Sequence, residues 1–187
     1  MFIFSKTNID ELVLISPHQF DDENGCFFKY FEKDVYREHG IAADFSEFSV
    51  NITHKRGTLK GMPYQRNPSQ ARLVYLIAGA IFDVALDLRK DSATFGKYEC
   101  FYLSKENNKA IYMPENFAHG ILILEDNTVI CESFTGKYIP ENCGRIIWND
   151  KDLNIPWPID TLGMAPIVSE KDSKAETFVQ FLANRNV

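Results

Sequence analysis

The sequence has no pair of histidines two residues apart, no CxxC, no glycine-rich phosphate loop and no long apolar run, and each gap removes a class of function. Its four histidines, His18, His39, His54 and His119, stand singly. The paired strand histidines that hold a metal in the mouth of many small barrels are therefore missing, and neither a metal nor a cofactor is expected. The four cysteines, Cys26, Cys100, Cys131 and Cys143, are scattered, which suits free thiols in a reducing compartment better than a disulfide framework or zinc site. GxSxG, GxGxxG and Walker-type loops are absent, which argues against serine-nucleophile and loop-cradled phosphate chemistry. No stretch approaches the roughly 20 apolar residues of a membrane helix, and the start MFIFSKTNIDEL lacks a basic segment followed by an apolar one. No membrane association is expected, and the cytoplasm is the expected location. A basic excess is also lacking: 20 Lys and Arg face 26 Asp and Glu, a net charge of −6, which excludes a nucleic-acid partner.

What is present is apolar and β-rich. The 187 residues, 45% hydrophobic and 13% aromatic, suffice for one sizeable core, so residues 1–187 read as a single domain. Arg72 to Leu88 reads as a hairpin broken at Ala78-Gly79. Further strand runs follow at 97–104, 109–114, 119–126, 128–134 and 145–150, separated by turn signals such as Asp126-Asn127. Short strands without intervening helices mean an all-β sandwich, jelly roll or barrel. Two short helices are expected on its periphery, at 31–40 with apolar Phe31 and Val35 and Tyr36 alongside, and at 175–184 with Phe178, Phe181 and Leu182 on one face. The aromatics Phe27, Phe28 and Tyr30 read as core.

One ordered set of short blocks carries more. These are DENGCFFK (22–29), RGTLKGMPYQ (56–65), ARLV (71–74), FDVALDLR (82–89), DSATFGK (91–97), FAHG (117–120), WND (148–150) and SEKD (169–172). Together they resemble the dTDP-4-dehydrorhamnose 3,5-epimerase family from about Asp22 to Asp172. The resemblance implies a cupin-type jelly-roll β-barrel, a homodimer whose shared sites are completed by a strand from the partner, no metal, and a nucleotide-linked 4-keto-6-deoxy sugar as substrate. Such enzymes remove the proton at C3, and usually at C5, and return it from the opposite face. The ketone acidifies those C–H bonds, so the protein must supply a base, an acid and a cation near the ketone oxygen.

The chain departs from that pattern at the reacting groups. The motif's base histidine is replaced by Pro63, which cannot carry a proton. The acid tyrosine, counted back from Tyr138-Ile139-Pro140, is replaced by Glu132. In the family's diphosphate-holding block an arginine has become Asn24 and a glutamate Lys29, and a binding glutamate falls on Cys143. Lys60 and Arg72 exchange one cation for another, and their geometry changes with them. His119, Asn51, Gln65, Lys171 and Asp172 match. The resemblance thus implies Glu132 and Asp172 as catalytic candidates, with His119, Arg72, Lys60, Asn51, Gln65, Lys171, Asn24 and Lys29 as substrate contacts.

Each candidate has a plainer reading. His119 is a substrate contact or a satisfied structural histidine, and Glu132 faces inward or outward on an alternating strand. Arg72 and Lys60 hold an anion or are solvated, and Asp172 without its histidine reads as a salt bridge or helix cap. Three functions stay open: an isomerase of nucleotide-4-keto-6-deoxyhexoses with an altered proton-transfer set, a catalytically silent relative that binds a nucleotide sugar or partners an active enzyme, and a structural barrel.

Overall fold

A computed structural model describes residues 1–41 and 44–184. Strands β1 (Phe2–Lys6), β2 (Val13–Pro17), β3 (Gln19–Asp22) and β4 (Gly25–Phe28) precede helix α1 (Lys33–Glu38). Then come β5 (Phe45–Thr53), β6 (Thr58–Lys60), β7 (Met62–Gln65), β8 (Arg72–Ala78), β9 (Ala80–Asp87), β10 (Tyr98–Ser104), β11 (Ala110–Met113), β12 (Phe117–Ile123) and β13 (Thr128–Thr135). The chain closes with β14 (Cys143–Ile146), β15 (Ile167–Val168), α2 (Glu170–Ser173) and α3 (Phe178–Asn184). A six-stranded sheet runs β1-β2-β11-β8-β13-β5 and a five-stranded sheet β10-β9-β12-β6-β15, with β14-β7 and β3-β4 as separate pairs.

Burial on both sheet faces explains the near-continuous apolar runs. Along β9 the odd positions Ile81 and Ala85 pack between the sheets, with Val74 and Leu76 of β8 and Ile121 and Ile123 of β12. The even positions Val84 and Leu86 face the other way, into a cluster completed by Leu153, Trp157 and Phe181 from the C-terminal segment. A third cluster, around Tyr36 of α1, Ile15 and Leu73, covers the six-stranded sheet. Residues of one strand thus serve two cores, as period-two alternation requires.

The expected hairpin at 72–88 is corrected. β8 pairs with β11 and β13, whereas β9 pairs with β10 and β12, so the chain changes sheets at Gly79. Gly79 has φ +79, and a Cβ there would lie 2.2 Å from Thr128 Oγ1, so only glycine permits the crossing. The C-terminal helix starts later than its apolar spacing suggests because Thr177 caps it: the backbone N–H of Gln180 donates to Thr177 Oγ1, and Thr177 N–H to Gln180 Oε1. The first helix is anchored by Tyr36, which is fully buried, with Phe31 packed edge-on against its ring and Val35 half-buried. Phe27 is 62% exposed on the β3–β4 hairpin, which corrects its reading as core, while Tyr30 stacks on Tyr75. Among the described residues no helix is long and apolar enough to cross a membrane.

Candidate functional site

At one end of the space between the sheets the inward apolar positions give way to polar ones. Val74 and Leu76 of β8 are followed inward by Arg72, Ile121 of β12 by His119, and Ile130 of β13 by Glu132. With Lys60 of β6 and Asn51 of β5 they line a cavity of about 760 Å³ that also reaches Pro63, Arg145 and Asp172. The expected convergence of His119, Arg72 and Lys60 is therefore present, and Glu132 faces inward, with 13% of its side chain exposed.

Arg72, His119 and Glu132 form one cluster. His119 Nε2 lies 2.7 Å from Asp83 Oδ2, and its Nδ1 lies 3.1 Å from Arg72 Nη1. A carboxylate accepts and a guanidinium only donates, so Nε2 carries the proton and Nδ1 accepts from Arg72. Glu132 Oε1 stands 3.7 Å from that Nδ1 and 3.8 Å from Arg72 Nη1. Burial pushes the Arg72 guanidinium below its ordinary pKa, and the Glu132 and Asp83 carboxylates act against that shift. Asp83 Oδ1 is buried and accepts no hydrogen bond among the described residues.

A second cluster stands on β14 and α2. Arg145 Nη1 donates to Asp172 Oδ1 over 2.8 Å, and Ser169, the α2 cap, donates its hydroxyl to Asp172 Oδ2. Both carboxylate oxygens are thus engaged. Cross-strand register sets Arg145 opposite Pro63. Lys60 lies between the clusters, its Nζ donating to Asn51 Oδ1 over 2.6 Å and to Thr53 Oγ1 over 3.0 Å. Desolvation lowers its pKa, partly offset by Glu132 and Asp172.

Gln65 lines the cavity, yet its amide is occupied: it donates to the Pro68 and Lys137 carbonyls and accepts from the Ile139 N–H, bracing the loop that carries Tyr138. Asn24, Lys29 and Lys171 are not among the cavity-lining residues. Asn24 is exposed in the β3–β4 turn, Lys29 pairs with Glu32, and Lys171 is exposed on α2. Asp83, Arg145 and Glu47 were not singled out from the sequence, and Tyr138 was used only as the marker of its Tyr-x-Pro turn. Only Asp83, a carboxylate inside the apolar run FDVALDL, left a local signal. A second groove, of about 850 Å³, is lined by Arg66, Arg89 and Lys90. Arg89 there is committed to Asp87 and Glu11.

The family profile of the dTDP-4-dehydrorhamnose 3,5-epimerases matches residues 6–180. The epimerase of that name from Methanothermobacter thermautotrophicus is 39% identical over 171 residues, 91% of each chain. The crystal structure of a dTDP-6-deoxy-D-glucose-3,5-epimerase from Legionella pneumophila in complex with dTDP-4-keto-L-rhamnose superposes with a TM-score of 0.92 at 34% identity, covering 98% of this chain and 96% of that one. A 3'-monoepimerase from Streptomyces bikiniensis in complex with dTDP-quinovose gives 0.85 at 27% identity, over 96% and 89% of the two chains. The two facing sheets are accordingly a cupin-type jelly roll, and the chain belongs to the dTDP-4-dehydrorhamnose 3,5-epimerase family.

Proposed function

We propose that the protein is an isomerase of nucleotide-linked 4-keto-6-deoxyhexoses in deoxysugar biosynthesis, with Glu132 as the group that exchanges protons with carbon. The observation that carries this reading is the inward-facing Glu132 carboxylate beside Arg72 and His119. A proton leaving the carbon next to the ketone puts charge on the ketone oxygen, and the buried guanidinium of Arg72 is placed to stabilise it. Lys60 adds a second cation, and Asp172 acts by fixing Arg145 rather than as a base. The sugar nucleotide bound by the Legionella relative supports the substrate class.

The reading extends to the assembly. Residues 1–187 act as one domain, and two copies form a homodimer with shared sites. Support comes from β5, an edge strand whose outward side chains Phe48, Val50 and Ile52 are 71, 64 and 58% exposed, and from the β3–β4 hairpin, which presents Phe20 and Phe27 to solvent. In that arrangement Asn24 and Lys29 contact substrate in the partner's cavity, and Lys171 lies at its rim. A diffusible nucleotide-linked substrate and four cysteines without disulfides fit the cytoplasm.

The test is solvent-deuterium uptake into the sugar ring of dTDP-4-keto-6-deoxyglucose, followed by NMR. Wild type takes up label beside the carbonyl, and Glu132→Gln slows uptake about 10³-fold or more. Uptake at the buffer rate for the dTDP, UDP, GDP and CDP sugars alike would overturn the reading, and a catalytically silent sugar-nucleotide binder would take its place if calorimetry still showed binding.

A further inference from the structure

Resting on that reading, we propose that this site moves the carbonyl within the ring, from C4 to C3, without inverting any carbon. Inversion needs two groups on opposite faces of the reacting carbon, one to take the proton and one to give it back. Glu132 accepts no hydrogen bond among the described residues and meets Arg72 and His119 only at ion-pair range, 3.8 and 3.7 Å from Oε1, which leaves its carboxylate able to take a proton. Among the described residues that line the cavity, the groups that could return a proton are otherwise engaged, the Tyr138 side chain with Cys143. Pro63 has nothing to transfer, and Asp172 has both oxygens engaged by Arg145 and Ser169. Glu47 accepts the backbone N–H of Tyr138.

A keto shift has a different requirement, which the site meets. Besides a carbon base it needs a second acid–base group beside the first, to carry a proton between two neighbouring oxygens. His119 Nδ1, which accepts from Arg72 in the free protein and stands 3.7 Å from Glu132, becomes such a group when the sugar oxygens take over the Arg72 guanidinium. Asp83 behind it would hold the imidazolium formed in passing, with a buried oxygen to spare.

The steps balance without a co-reactant. Glu132 takes the C3 proton, the C3–H electron pair becomes the C3=C4 bond, and the C4 carbonyl electrons move onto O4 beside Arg72. His119 removes the O3 hydroxyl proton and delivers it to O4. The O3 electrons then form the C3 carbonyl, and the double bond takes the proton back from Glu132 at C4. A 4-keto-3-hydroxy sugar becomes its 3-keto-4-hydroxy isomer, with the carbon-bound proton carried on one face by one carboxyl group.

The experiment uses dTDP-4-keto-6-deoxyglucose deuterated at C3, turned over by the wild-type protein in ordinary water and read by NMR. The expected result is a carbonyl at C3, part of the label recovered at C4, and an untouched C5. His119→Asn should keep proton loss at C3 while losing the carbonyl shift, a split that a merely structural histidine would not produce. A product still carrying its ketone at C4, inverted at C3 or C5, overturns the keto shift and leaves the isomerase reading intact, with Tyr138 as the donor to examine. Neither label loss nor a carbonyl shift overturns both.

Discussion

Arg145 on β14 reaches Asp172 on α2 over 2.8 Å, and β-sheet register places the same Arg145 directly across from Pro63 on β7. The position that in relatives would carry the base thus faces a guanidinium held by the aspartate that would have oriented that base. This wall of the cavity offers no free proton acceptor, whereas the opposite one offers the Glu132 carboxylate beside the Arg72 guanidinium.

Arg145→Met should test the pair. It leaves Asp172, with 8% of its side chain exposed, without its cation. The expected loss is about 1–3 kcal/mol, or a fall in Tm of about 2–12 °C for a chain of this size, together with a raised KM. An unchanged melting curve would show the pair to be energetically idle.

Lys60 makes sugar-nucleotide binding pH-dependent. Its pKa is depressed in the free protein, mainly by desolvation, and a bound anion favours the protonated form. Affinity should therefore fall as pH rises through that depressed pKa, by up to about tenfold per pH unit, below the ordinary lysine range. The sign for folding is opposite: the unfolded chain holds this proton to higher pH, so in the same window stability rises with pH. Calorimetry with dTDP across pH should show the slope in wild type and a flat profile in Lys60→Met.

Val50→Glu should separate the proposed dimer. The residue is at the middle of the exposed β5 face, between Phe48 and Ile52, and its side chain leaves the inter-sheet core untouched. Sedimentation should show a shift to monomer at micromolar concentration with unchanged circular dichroism. A dimer as tight as wild type would locate the interface elsewhere.

Strands β8 to β13 and the family were legible because turn residues punctuate apolar runs and because the short blocks recur in order, whereas β1 to β7 were not read as strands and the run at 145–150 is paired only up to Ile146. The sheet-crossing at Gly79 was not legible: with both faces of β8 and β9 buried, alternation is lost, and a glycine between two β runs looks the same in a hairpin and in a crossover. His119, Arg72, Lys60 and Glu132 could be named from the sequence because they fall in or near recognisable blocks. Arg145 could not, since a charged residue opening RIIWND reads as solvated until register sets it against Pro63. Phe27 misled for the opposite reason, an aromatic that a single chain leaves in water.

Restoring the base should depend on Arg145. In Pro63→His alone, the new imidazole meets an aspartate whose Oδ1 already takes the Arg145 bond and whose Oδ2 takes Ser169, so it lacks an orienting partner. In Pro63→His with Arg145→Gly, Asp172 Oδ1 is released and cross-strand space opens for the ring. The double variant should then gain a second proton-transfer group facing Glu132 and release product inverted at C3 or C5, while the single variant keeps wild-type stereochemistry. Chiral NMR analysis of both products decides it, and inversion by the single variant would show that Arg145 does not control the position.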